Sequence, residues 1–177
     1  MMMATGLEFI SDFIRRTQFN YYSLSNDKYE VTQLINSAIG LLIIPKENKN
    51  IKISDNFIDA VLLSDIKQCV KINTYAAPLD LEQIVRHLRN GIAHGRFEFE
   101  AEITSVDPKS ILIHKVVFKD SSRASYKKLH EDFEIEISVE LLRDFFIAFS
   151  DAVVTYVDNE ITRRAQRKTK KKSKLIT

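Results

Sequence analysis

At 177 residues the chain has the size of one domain, and 45% hydrophobic against 28% charged residues is the balance of a folded globular protein and not of a disordered one. Only 4 Gly and 3 Pro favour long helices; no run of about 18 apolar residues offers a membrane span, and the opening MMMATGLEFISDF lacks the basic segment and continuous apolar core of a secretion signal, so a cytoplasmic protein without membrane contact is expected. The formal charge of +2 hides an asymmetry, because eight Lys or Arg and no acid stand from Ile161 onward, leaving 18 basic against 24 acidic residues, a net −6, in the body.

In chain order, Leu7, Ile10, Phe13 and Ile14 recur at steps of three and four in GLEFISDFIRRTQF and predict a first amphipathic helix, followed by the connection NYYSLSNDKY. A second helix is predicted from Tyr29 through Val31, Leu34, Ile35, Ala38, Ile39 and Leu42. It should stop before Pro45, whose ring removes a donor and collides with the preceding turn. KENKNIKIS reads as a polar loop. NFIDAVLLSDIKQCV predicts a third helix with Phe57, Ile58, Val61, Leu62, Ile66 and Cys69 on one side. Cys69 is the one cysteine; its apolar setting favours a small buried hydrophobe over a nucleophile, and it has no mate for an internal disulfide. Pro78 then favours the start of a fourth helix.

After Gly95 the period changes to two: Phe97, Phe99, Ala101 and Ile103 alternate with Glu98, Glu100, Glu102 and Thr104, the pattern of a half-buried strand. DPKS suits a turn into ILIHKVVF, and FEIEIS repeats the alternation, which predicts a small antiparallel sheet of three strands with KDSSRASYKKLHED as a loop. Ser138 is placed to cap the last helix, where Leu142, Phe145, Phe146, Phe149, Val153, Tyr156 and Val157 form an apolar band. The expected fold is mainly α: one domain over 1–162, a helical bundle with a β insertion at about 97–138 between its fourth and fifth helices, and a basic tail without structure at 163–177. Such a tail suits contact with phosphates, whose counterions pairing releases; it equally suits a solvated terminus.

The chemistry gathers on the fourth helix, in VRHLRNGIAHGRFEF. At 100 degrees per residue, Val85, Leu88 and Ile92 share the stripe of Leu81 and face the core, whereas Arg86, His87, Asn90 and His94 fall on the opposite side, where a lone chain would leave them in water. Arg89 sits on the flank, about 140 degrees from His94. Gly91 costs about 1 kcal/mol relative to alanine inside a helix; close approach of another backbone would explain it, and so would tolerated drift. Gly95 is placed as a left-handed cap that ends the helix beside His94.

These residues carry a family resemblance. RNGIAHG resembles the signature of the HEPN superfamily, in which an arginine, usually followed by a polar residue such as asparagine, precedes a histidine by four to six residues; Arg89, Asn90 and His94 take those places here, and Gly95 resembles the glycine often found next. GLLIIPKE, ending the second helix, resembles a second feature of some HEPN branches, while the sheet departs from the plain bundle. The resemblance implies an HEPN-like bundle, a homodimer whose motif helices face each other across a shared site, and a metal-independent ribonuclease of the toxin–antitoxin or antiviral kind, with an antitoxin or other neutralising partner as an expected further contact. RNA would be the substrate. His94 would be the general acid or base, since histidine's ordinary pKa lies nearest neutrality; Arg89 would stabilise charge on the phosphorus oxygens with its planar fork, and Asn90 would orient the phosphate or the histidine. Arg86 and Arg96 are candidates for flanking phosphates, and His87 for a base contact or an ordinary surface position.

No cofactor or metal is expected. His87 and His94 are two helical turns, about 10 Å, apart, too far to hold one ion, and HExxH, CxxC, phosphate-cradling glycine loops and a GxSxG elbow are absent. The reading from another functional class is a non-catalytic dimer, an antitoxin, adaptor or RNA-binding module using the same polar groove.

Overall fold

The computed structural model describes residues 6–23, 30–48, 50–103, 111–123 and 130–173; of the expected connection at 20–29, residues 20–23 are helical and 24–29 lie outside the described residues, as does the expected turn at 107–110. Helix α1 (Gly6–Ser23) buries Leu7, Ile10 and Ile14 as their spacing requires. Helix α2 (Glu30–Ala38) buries Val31, Leu34, Ile35 and Ala38, and passes through one π-turn (Ile39–Ile43) into the short α3 (Ile44–Glu47). The expected stop before Pro45 is therefore corrected. The Ile44 N–H bonds to the Ile39 carbonyl five residues back, which widens the turn just ahead of the ring and lets the helix run on to Glu47.

The third predicted helix starts later than its apolar pattern implied. Residues Asp55–Phe57 form a single 3₁₀ turn, and Asp59 caps α4 (Ala60–Gln68) by accepting from the Val61 and Leu62 N–H groups. In this setting Leu63 and Ile66 face the core and Val61 is exposed. Cys69 is half-buried against the core, and burial pushes its thiol above the usual cysteine pKa.

Strand β1 (Val70–Asn73) was hidden behind that helix pattern. It joins β2 (Phe97–Ile103), β3 (Ile111–Arg123) and β4 (His130–Ser138) in an antiparallel sheet of order β1-β4-β3-β2, four strands where three were expected. β3 and β4 also reach Arg123 and back from His130, so much of the predicted loop at 119–132 is paired strand. β2 is an edge strand, and Phe99, on the apolar face of its alternation, stays exposed.

Helix α5 (Leu81–Ala93) is capped by Asp80, which accepts from the Gln83 N–H at 2.8 Å. Helix α6 (Val139–Ser173) is capped by Ser138, which accepts from the Leu141 N–H at 3.2 Å. α6 is the axis of the core: Leu142, Phe145, Phe146, Phe149, Val153 and Val157 are fully buried, each large side chain stabilising by about 1.5–3 kcal/mol. Its helix continues through the basic segment as far as Ser173, where a tail without structure was expected. The result is a helical bundle with a small antiparallel sheet, three strands of which lie between α5 and α6 as expected, while β1 joins it from ahead of α5. Among the described residues no helix is long and apolar enough to cross a membrane.

Candidate functional site

The sheet decides what α5 can present. Leu81, Ile84, Val85 and Leu88 face the bundle, while β3 and β4 lie against the side that helix geometry alone would leave in water. His87 is therefore only 1% exposed. Its ring stacks on Phe133 of β4 at 4.2 Å between centroids and leans on Tyr75 at 4.4 Å. Burial, partly opposed by a hydrogen bond to Asp120, lowers its pKa below the usual histidine value. Both expectations for His87, a base contact and an ordinary surface position, are overturned: the sheet buries it.

His87 Nδ1 lies 2.8 Å from Asp120 Oδ2, so a neutral ring carrying its proton there donates to the carboxylate. The same Oδ2 accepts from Asn90 Nδ2 at 2.9 Å. Asn90 Oδ1 in turn accepts from an Arg89 terminal nitrogen at 2.7 Å, and the other terminal nitrogen of Arg89 lies 2.6 Å from Glu47 Oε1. A continuous polar relay thus crosses the motif helix, from α3 to the interior strand β3. The π-turn matters here, since it carries the chain past Pro45 to set Glu47 beside Arg89.

Where α5 ends, His94 leaves the helix at φ −102°, ψ 5° and Gly95 takes φ 62°, a left-handed conformation that glycine adopts without a side-chain clash. The Arg96 N–H then closes back on the Gly91 carbonyl at 2.7 Å. This turn places an exposed His94 on the wall of an open cleft of about 460 Å³, together with Arg86, Asn90 and Arg96 of the same stretch. Asp120 and Ser121 of β3 line the cleft as well, with Tyr75 and Glu131. Arg96 donates to the Ser121 carbonyl at 3.3 Å and stands 3.7 Å from Asp120 Oδ1. Arg86 lies over the Tyr75 ring, 5.4 Å from its centroid. The His94 ring makes no hydrogen bond to any described residue.

Of the six predicted site residues, Arg86, Asn90, His94 and Arg96 converge on this cleft. Arg89 does not line it and is linked to it through Asn90, and His87 belongs to the core. Gly91 is close to another element, but that element is β3 of the same chain: an added Cβ would meet Phe118 at 3.4 Å. Asp120 and Tyr75 were missed. The signal for Asp120 lies in VVFKD, where Val116, Phe118 and Asp120 are successive buried positions on one face of a strand, so an acid stands where a hydrophobe is expected. Tyr75 follows β1 in a stretch with no periodic pattern to mark it. Among the described residues no three His, Cys, Asp or Glu side chains gather as a metal ion would need.

No curated protein and no solved structure matches the chain. A family model described as HEPN pEK499 p136 matches residues 1–160, which takes in the bundle, the sheet and the whole cleft. The chain therefore belongs to the HEPN superfamily, and in coarse terms it is a nuclease-like or RNA-related module.

Proposed function

We propose that the protein is an endoribonuclease that cuts RNA without a metal ion, by attack of a ribose 2′-OH on the adjacent phosphorus, at a site completed by a second copy of the chain. The observation that carries this reading is the cleft itself, which gathers Arg86, Asn90, His94 and Arg96 around one space open to a ligand. Two cations flanking an exposed histidine suit a phosphodiester, and among the described residues no hydrogen-bond partner competes for the His94 ring.

In the reaction the 2′-OH proton passes to His94, the O2′–P bond forms as the P–O5′ bond breaks, and the departing O5′ takes up a proton. One histidine in one cleft cannot hold both protonation states at once, so His94 of a second copy supplies the acid. Proton transfer of this kind contributes about 10² to 10⁴ in rate. Arg89, next to the cleft-lining Asn90, would meet the phosphorane oxygens: Glu47 and Asn90 occupy one N–H on each terminal nitrogen, which leaves one more on each for substrate. Arg86 and Arg96 hold the flanking phosphates. Like other HEPN ribonucleases, the protein would serve as a toxin or antiviral effector restrained by a neutralising partner.

An RNA oligonucleotide carrying 2′-deoxyribose at the cut position tests the chemistry. The expected result is an inert substrate, while the all-ribose oligonucleotide is cut to a 2′,3′-cyclic phosphate; cleavage at the deoxy position, or of DNA, contradicts the proposal. One observation favours a second reading, a non-catalytic RNA-binding, antitoxin or adaptor dimer: Arg89 is held by Glu47 and does not line the cleft. Tight RNA binding with no strand scission would select it.

A further inference from the structure

Among the described residues Asp120 is the one carboxylate in the buried set, at 6% exposure. Burying a carboxylate is expensive unless it is paired, and its close partners are a histidine whose pKa burial has lowered and a neutral amide; the nearest guanidinium nitrogen, on Arg96, is 3.7 Å away. The two preceding buried positions on the same face of β3 are Val116 and Phe118. A hydrophobe there would strand the buried His87 Nδ1–H, so holding His87 is one duty of the acid; its second bond, to Asn90, calls for a reason of its own.

Asn90 supplies it. A side-chain amide presents an oxygen at one end and an NH2 group at the other, and the two ends are nearly identical in shape. A carboxylate accepts only from the NH2 end. With Asn90 Nδ2 on Asp120 at 2.9 Å, Asn90 Oδ1 is left for Arg89, at 2.7 Å. The charge on Asp120 thus decides which end of Asn90 faces the arginine. Its second oxygen faces the cleft on the side of Arg96.

We propose that Asp120 is a positioning residue of the RNA-cutting site, fixing the orientation of Asn90 and through it the Arg89 guanidinium, so that the inserted sheet is part of the site and not an ornament on the bundle. The catalytic half of this inference rests on the ribonuclease reading; the orientational half does not.

The test compares wild type, Asp120→Asn, Asn90→Ala, the double variant of these two, Asn90→Asp, and the exchange that combines Asn90→Asp with Asp120→Asn. Each is followed by kcat and KM on an RNA oligonucleotide, by thermal melting, and by the NMR signals of the Asn90 side-chain amide where that residue is retained. Asp120→Asn is expected to melt above the assay temperature yet lose about 10- to 100-fold in kcat, the loss expected when a hydrogen bond to a charged group is removed. The double variant should fall no further than the worse single one, because the two residues act as a unit. The exchange should recover activity relative to Asn90→Asp alone, since a carboxylate and an amide again face each other; this arm also serves if Asp120→Asn does not fold. Wild-type kcat in a folded Asp120→Asn, losses that multiply, or no recovery in the exchange overturns the proposal. If wild type does not cut RNA, the ribonuclease reading fails separately and the NMR arm decides: one sharp Asn90 amide environment in wild type and two exchanging ones in Asp120→Asn support positioning, and unchanged signals overturn it.

Discussion

His87 on α5 and Asp120 on β3 share a 2.8 Å hydrogen bond between two buried side chains. The first histidine of the motif helix therefore holds helix to sheet, and only His94 is left to meet a substrate. Because burial lowers the His87 pKa, the folded chain binds fewer protons at this residue than the unfolded chain, whose histidine titrates near its ordinary value of about 6.5. Its contribution to stability is full above that value and is lost as pH falls toward the folded pKa. Melting curves of wild type and His87→Gln, which keeps a donor but does not titrate, should be furthest apart at about pH 7 and draw together as pH falls below about 6.5. A separation that stays constant contradicts a buried neutral histidine.

Two glycines with opposite roles make a second prediction. A Cβ on Gly40, in the π-turn, would lie 2.3 Å from Thr17 Oγ1 and 2.9 Å from Thr17 Cβ, so Gly40→Ala must push α1 away and should cost about 1–3 kcal/mol. Thr17→Ala should recover only part of this, because its own Cβ remains in the way. At Gly91 the same methyl meets Phe118 at ordinary contact distance, and Gly91→Ala should be neutral or stabilising by up to about 1 kcal/mol from helix propensity. Chemical denaturation of the variants checks both, and a larger loss at Gly91 than at Gly40 would reverse this packing assignment.

Arg89 bridges Glu47 and Asn90 with separate nitrogens of one planar group. Lysine has one point of charge and cannot copy that fork. Arg89→Lys is predicted to lose at least about tenfold in RNA cleavage, the equivalent of one charged hydrogen bond, with stability lowered by no more than about 1 kcal/mol because the Glu47 carboxylate is largely exposed. Parallel activity and melting measurements separate the two effects. An active Arg89→Lys would leave the arginine as a strut between helices.

Much of this was legible in the residues. The three- and four-residue steps in α1, α2, α5 and α6 marked the bundle, Ser138 marked the start of α6, and the arginine–asparagine–histidine spacing marked the stretch that lines the cleft. What was not legible depended on contacts distant in sequence. β1 has four residues, mostly exposed, and is held by pairing with β4 sixty or more positions away. Pro45 signalled a stop that a π-turn removed. A helical wheel assigns faces without knowing what covers them, so His87 was placed in water when Phe133 and Asp120 were waiting for it.

The most direct test of the central claim is incubation of purified wild type and His94→Ala with mixed cellular RNA in EDTA, followed by gel and by the chemistry of the product ends. His94 is exposed and lies just past the last helical residue, so its loss should leave folding intact. The proposed mechanism predicts cleavage by wild type alone, with 2′,3′-cyclic phosphate ends. Equal cleavage by the two proteins, or none by either, would contradict it.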